Sequence, residues 1–459
     1  MSPGLRRGDI GRNIAGGLIP AGRGNIIWTG AVMKAMLPGM SQNDAAAAKT
    51  EKKFPLKTLL SFLGPGFLVT VGFIDPGNWA TNIEGGSRFG YDLLWVITLS
   101  TAMLIVIQHM AAKLGIATGK SLAVNIREQF SRPVTAFLGI TIILACVATD
   151  VAELVGGAIG FNLLIGVPLW VGAALTVLLE VFLIISQRYH RLEMTMMGFL
   201  GVIGLCYIAE LVIVDPDWLE LAPAVVVPKI NRGSVYVAMA ILGAVVMPHN
   251  IFLHSNVIHS RKWGISENEK MKALRFERAD TMLAMIMGWI VNSAMIIVAA
   301  AVFFRNNVAV DSIEQASATL KPLAGPLAGF LFAFALVFAG VGSSVTSSMA
   351  EVNVITGFLG KPEDPRTWLY RISIFITAIP SFLIILFSVD TYHILIFSQV
   401  VLSIQLPFTL IPLLILCRNR KLMGQFRSGR REFTAAVIIS VIVVMLNLYL
   451  LHSIIAGGG

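Results

Sequence analysis

Eleven apolar stretches of membrane-spanning length leave this chain of 459 residues few folds to choose from. They run near residues 59–84, 91–113, 134–162, 168–186, 193–213, 234–259, 279–303, 323–348, 367–388, 391–416 and 433–455. A helix needs about 20 apolar residues to cross the hydrocarbon core. Lipid admits only helices and closed barrels, because no water is there to satisfy backbone groups. Charged residues make up 13% of the chain, about half the share of a soluble domain. The expected fold is an all-α polytopic membrane protein with eleven transmembrane helices. Cys146, Cys206 and Cys417 all lie in apolar runs without a C-x-x-C spacing, so they read as small buried hydrophobes.

Lys and Arg set the expected orientation. Of the 35 basic residues, 30 fall on the side of the N-terminus, while Arg88, Lys229, Arg232, Arg305 and Lys321 fall on the other. The N-terminus is therefore expected in the cytoplasm and, with an odd helix count, the C-terminus outside a cell membrane. The net charge of +9 reports this topology and contact with anionic lipid, not nucleic acid. Residues 1–57 are rich in Gly, Ala, Asn and Arg and read as a flexible cytoplasmic tail. Its apolar patch, Asn25–Gly39, is too short to span.

Two of the eleven segments are interrupted. The first breaks at Asp75-Pro76-Gly77-Asn78 and the sixth at Met247-Pro248-His249-Asn250. Proline removes a backbone donor and clashes with the preceding turn, and glycine eases the unwinding. Five segments follow from each start, with one left over. That is the layout of a five-plus-five inverted repeat, whose site lies at the midplane between discontinuous helices. Repeat one is expected over 58–213, repeat two over 234–417, and an extra helix over 433–455.

The residues at the breaks are metal-ligand types. Asp75 offers an anionic oxygen, Asn78 an amide oxygen and Met247 a thioether. The carbonyl of Ala244, freed by the break, is a further oxygen. Oxygen ligands suit magnesium, calcium and manganese, whereas sulfur favours softer ions, so the mixed set leans toward transition metals such as manganese or iron.

At this point the residues resemble a known family. Gly72-Phe-Ile-Asp-Pro-Gly-Asn78 and Gly243-Ala-Val-Val-Met-Pro-His-Asn250, with Leu253-His-Ser255, are similar to the motifs of the NRAMP family of proton-coupled divalent metal transporters, including bacterial manganese importers. Ala148-Thr-Asp-Val-Ala-Glu153 and Ser398-Gln-Val-Val-Leu-Ser403 share the resemblance, which runs from about Thr58 to the C-terminus. It implies a LeuT-like fold and import of Mn2+, with Fe2+ and Cd2+ also carried, by proton symport and alternating access. It also implies that Asp75, Asn78, Ala244 (through its carbonyl) and Met247 hold the metal, with Gln399 approaching it in some states. The methionine is the family's mark of manganese and iron transport, and relatives that carry magnesium or aluminium differ at the sixth-helix ligand positions. Three positions depart from the pattern. Glu351 and Val352 stand where the family more often has Gly-Gln, and Glu84, read as a solvated carboxylate near the outer mouth, is unusual.

Protons have candidate carriers. A carboxylate at mid-membrane favours its neutral form, so Asp75 is expected to release a proton when a dication binds. Asp150 and Glu153 share a helix face, and His254 lies on the stripe of Met247. Arg371 opens the ninth segment, where it is placed to stabilise a carboxylate. His249 reads equally well as a proton carrier or as a hydrogen-bonding partner at the break.

The rival readings are a family member with altered selectivity, such as one for Mg2+, and a LeuT-type cation-coupled carrier of organic solutes. The latter uses backbone amides for a substrate carboxylate, which an aspartate with a methionine does not suit. No His-Glu-x-x-His, nucleophile elbow or phosphate loop points to an enzyme. No cofactor is expected beyond the transported ions, and the chain is expected to be monomeric.

Overall fold

The computed structural model describes residues 18–21, 25–28 and 62–455, apart from 187–188, 232, 262–265, 311 and 388–390. The chain divides into Met1–Leu63 and a helical unit, Gly64–Gly459. In the first unit, β1 (Leu18–Ala21) pairs antiparallel with β2 (Asn25–Trp28), Leu18 opposite Trp28. The rest of the expected tail, including most of its apolar patch, lies outside the described residues.

The second unit is all helix. Its elements are α1 (Pro65–Gly72), α2 (Pro76–Phe89), α3 (Leu94–Thr118), α4 (Leu122–Gln129), α5 (Arg132–Ile165), α6 (Leu169–Ser186), α7 (Tyr189–Val214) and α8 (Trp218–Ala224). They continue with α9 (Ser234–Val245), α10 (Pro248–Val257), α11 (Glu267–Val302), α12 (Ile313–Ala324), α13 (Pro326–Leu359), α14 (Trp368–Phe387), α15 (Thr391–Arg418), α16 (Arg420–Met423) and α17 (Arg430–Ile455). Ten segments among the described residues are long and apolar enough to span a membrane. The broken pair α1–α2 is the remaining expected span. The short helices α4, α8, α12 and α16 sit in the connections.

Burial follows the pattern expected in lipid. Phe137, Trp170, Leu178 and Phe182 are exposed on the outer helix faces, while Trp79, Phe73, Leu68 and Ile74 are buried. The half-helices cross between repeats: α9 packs on α2, and α10 on α1. This is the five-plus-five arrangement the interrupted segments imply. The long helices α5 and α13 form the most extensive pair, with α6 and α14 packed beside them, while α1 and α2 rest chiefly on α11, and α10 on α3 and α13.

The start of α1 is fixed from a distance. Asp280 of α11 accepts the Gly64 N–H at 2.9 Å and the Gly66 N–H at 2.7 Å, satisfying free donors at that helix end. Trp79 anchors α2, meeting Tyr207 and Phe332 edge-on at centroid distances of 5.2 and 5.1 Å. At the break itself, Pro76 lies against Gly156 of α5. A Cβ at Gly156 would come within 1.9 Å of the proline ring, so only glycine allows that approach.

Candidate metal site between the broken helices

Both interruptions form where the prolines stand. α1 ends at Gly72, residues 73–75 run non-helically, and Pro76 takes the first helical position of α2. α9 ends at Val245, and Pro248 opens α10 in the same way. Proline suits this position, since its missing N–H is one the helix start leaves free.

Asp75 is the N-cap of α2. Its carboxylate accepts the Gly77 N–H at 3.1 Å and the Asn78 N–H at 2.9 Å. The Asn78 side-chain amide donates to Asp75 Oδ1 at 2.7 Å and to the Ala244 carbonyl at 2.9 Å. One amide nitrogen is thus held between an oxygen of the first break and an oxygen of the second. Gln399 of α15 donates from Nε2 to the other Asp75 oxygen at 3.3 Å. Gly77 makes room for that contact, because a Cβ there would fall 1.6 Å from Gln399 Nε2. Met247 is fully buried at the second break, with Asn250 Nδ2 3.6 Å from its sulfur.

The structure therefore brings Asp75, Asn78, Ala244 and Gln399 together by direct hydrogen bonds and sets Met247 at the facing break. Asp75, Asn78, Ala244, Met247 and Gln399 are all 0% exposed. Asn78 Oδ1, Gln399 Oε1 and Asn250 Oδ1 are buried without a partner. Turning the Asn78 or Gln399 amide by half a turn exchanges its nitrogen for that orphaned oxygen, so each supplies an oxygen ligand beside the Asp75 carboxylate. No three His, Cys, Asp or Glu side chains converge as a metal cluster among the described residues. The set has one carboxylate, with neutral oxygens and a thioether around it.

The profile of the Nramp family, described as natural resistance-associated macrophage protein-like, matches residues 66–453. The chain belongs to the Nramp family. Two relatives named divalent metal cation transporter MntH are each 40% identical to it. That of Caldanaerobacter subterraneus matches over 88% of this chain and 95% of its own length, and that of Deinococcus radiodurans over 88% and 92%. A crystal structure of the Eremococcus coleocola manganese transporter superposes with a TM-score of 0.76 at 30% identity, covering 87% of this chain and 88% of the other. The nucleobase-cation-symport transporter Mhp1, 14% identical with a TM-score of 0.57, shares the fold.

Within this Nramp fold the expected proton carriers separate into groups. Asp150 on α5 accepts from Ser347 Oγ of α13 at 3.0 Å. Glu153, one turn on, is fully buried with neither carboxylate oxygen partnered. His249 contacts Thr149 Oγ1 at 3.3 Å, and no carboxylate among the described residues bonds to it. His254 contacts Gln108 of α3 at 3.0 Å. The neighbouring His109 meets Glu277 at 2.7 Å and Arg278 at 3.1 Å, an arrangement that fits Nδ1–H donating to the carboxylate while Nε2 accepts from the guanidinium.

Arg371 is not brought to either group. It is exposed on α14, and its Nε donates at 3.4 Å to the Pro365 carbonyl in the preceding loop. Glu84 also differs from its sequence reading: it is 6% exposed and pairs with Arg88 at 3.3 Å on the next turn of α2, so it is not a solvated group.

Sequence reasoning passed over three residues that shape the site. Asn292 of α11 donates to the Phe73 carbonyl at 3.4 Å, satisfying an acceptor that the first break sets free. Asn250 occupies space left by Gly72, where a Cβ would come within 2.6 Å of its amide. Glu180 is buried mid-helix in α6 and accepts from Ser344 and Ser348. A lone acid within an apolar run was the available signal for Glu180. Nothing local marks Asn292, whose partner is over two hundred residues away in sequence.

Proposed function

We propose that this chain imports divalent transition-metal ions, Mn2+ first and Fe2+ and Cd2+ as well, by proton symport and alternating access. The observation that carries the reading is the enclosure of Asp75, Asn78 and the Ala244 carbonyl around one shared point, with Met247 on the facing break. A carboxylate, two amides and a carbonyl give a dication enough oxygen to replace part of its hydration shell. The thioether disfavours calcium and magnesium, which take oxygen only. The names of the MntH relatives and of the Eremococcus transporter agree with this substrate class.

Asp75, Asn78, Ala244, Met247 and Gln399 act as ligands. Asp75 binds a dication only as the anion, which links metal loading to loss of a proton. Asp150, Glu153 and His254 then take that proton toward the cytoplasm, the side on which most Lys and Arg fall, where the N-terminus lies while the C-terminus lies outside. Enclosure of the ligands by protein on all sides fits alternating access better than an open pore.

The test is uptake into proteoliposomes with internal pH recorded alongside. Met247→Ala is expected to keep Mn2+ uptake within about tenfold of the parent while admitting Ca2+ or Mg2+. Unchanged selectivity would sink the thioether's role. Mn2+ uptake with no accompanying proton flux in the parent would remove the symport.

A further inference from the structure

We propose that Glu351 and Glu180 extend the proton-holding groups of this transporter beyond Asp150 and Glu153, forming a carboxyl–hydroxyl relay among α5, α6, α13 and α14. The inference rests on the proton-coupled reading above.

The geometry starts at Glu351 on α13, which is 1% exposed. Thr377 of α14 donates to one of its carboxyl oxygens. The other oxygen has no N–H or O–H donor among the described residues. What faces Glu351 is the Asp150 carboxyl, and Thr377 is shared between the two acids. Two carboxylates cannot hydrogen-bond each other without a proton between them, so this contact closes only when one of them is the acid. The pair is a place where a proton is held and from which it passes. A proton on Asp150 moves to Glu351 Oε as Asp150 becomes the anion, and the total charge of the pair is unchanged.

One turn back on α13, the same helix face serves a second acid. Ser344 and Ser348 each donate to one oxygen of Glu180, while Ser347 donates to Asp150 at 3.0 Å. The hydroxyls alternate between the two carboxyls, and each can both donate and accept. Glu153 lies within electrostatic reach of Asp75, Asp150, Glu180 and Glu351, and its two unpartnered oxygens leave it free to receive a proton. The titratable groups that face this cluster are Cys146, Asp150 and Glu153 from α5, Glu180 from α6, and Glu351 from α13. No Lys or Arg bonds to any of these four carboxyls among the described residues, and in apolar surroundings four unpaired carboxylates would be too costly to keep all ionised.

The test uses the full-length protein in vesicles loaded with a pH-sensitive dye, with Mn2+ influx and proton influx recorded together across external pH. Glu351→Gln keeps the shape and donates an amide hydrogen bond to Asp150, but it cannot carry a proton. It is expected to retain Mn2+ uptake within about threefold at acid pH, to move about half as many protons per Mn2+ or fewer, and to displace the pH profile by about one unit. Glu351→Asp is expected to restore the ratio. Glu180→Gln, which keeps acceptors for Ser344 and Ser348, is expected to shift the same readouts less, and it decides the matter if Glu351→Gln does not fold. Proton-to-metal ratios and pH profiles equal to the parent's in these variants overturn the relay while leaving symport standing. A parent that moves no protons with Mn2+ overturns both.

Discussion

The two broken helices solve one backbone problem with opposite chemistry. At the first break Asp75 has φ −69° and ψ 163°, at the second Met247 has φ −79° and ψ 127°, and each precedes a proline that opens the next half-helix. Asp75 caps its helix with its own carboxylate, whereas Met247 makes no side-chain cap at all. A thioether is a poor acceptor, and N-cap positions favour Asp, Asn, Ser and Thr by about 1 kcal/mol. A residue that stabilises α10 less well stands where a cap is wanted, which is the signature of a position held for something other than folding. The first break, by contrast, asks one side chain to be cap and ligand at once.

That difference can be broken from either side. The largest effect is expected at Asp75→Asn. Asparagine caps a helix about as well as aspartate, so thermal stability should stay within about 1 kcal/mol of the parent. The anionic ligand is gone, however, and Mn2+ uptake should fall by about 100-fold or more. Folded protein that still transports Mn2+ at the parental rate would show that the carboxylate serves only as a cap.

Gly77→Ala comes next. The backbone of α2 accepts alanine, but its Cβ would fall 1.6 Å from the Gln399 amide nitrogen and 2.8 Å from Asp75 Oδ2. Gln399 must withdraw from Asp75, and uptake should fall by about tenfold with little change in stability. Gln399→Ala in the same background relieves the severe overlap and leaves only the milder one with Asp75 Oδ2 at 2.8 Å. If that double variant transports no better than Gly77→Ala and no better than Gln399→Ala alone, Gln399 is a ligand. If it regains the parental rate, Gln399 only fills space.

Met247→Asn tests the comparison from the other side, by giving the second break the cap it lacks. The amide oxygen accepts from α10 N–H groups and should stabilise the protein by about 1 kcal/mol. It also replaces sulfur with a hard ligand, so competition by Mg2+ or Ca2+ for Mn2+ uptake should rise by about tenfold. Stabilisation without a change in selectivity would mean that the thioether contacts no ion.

Much of this is legible in the sequence. The eleven spans, the two breaks and their matching positions follow from apolar run length and from two prolines, because lipid punishes exceptions to helical pairing so heavily. Asp75, Asn78 and Met247 were legible because ionisable and soft-ligand residues beside a proline in an apolar run have few structural reasons to be there. The Asn78 amide shared by Asp75 and the Ala244 carbonyl was not, since its bond to Ala244 joins residues 166 apart in sequence. Glu351 showed only as a departure from a pattern, and its meaning appears once α5 and α14 are placed beside it. Glu84 misled because proximity to a span's end suggests water, while its i+4 partner Arg88 and the packing of α2 keep it covered.

Arg371 is where sequence and structure give the most different weights, and it should yield the smallest effect. A basic residue at the mouth of an apolar helix suggests a counter-charge for a buried acid. In the fold it is exposed, and its Nε reaches the Pro365 carbonyl at a distance that makes a weak bond. Exposed charges so placed contribute little to stability or to buried titrations, because water screens them. Arg371→Ala should therefore leave Mn2+ uptake and its pH profile within about twofold of the parent. A larger shift in the pH profile, with stability unchanged, would mean that α14 turns during transport and carries the guanidinium toward Asp150, since nothing in the present arrangement lets it act from where it stands.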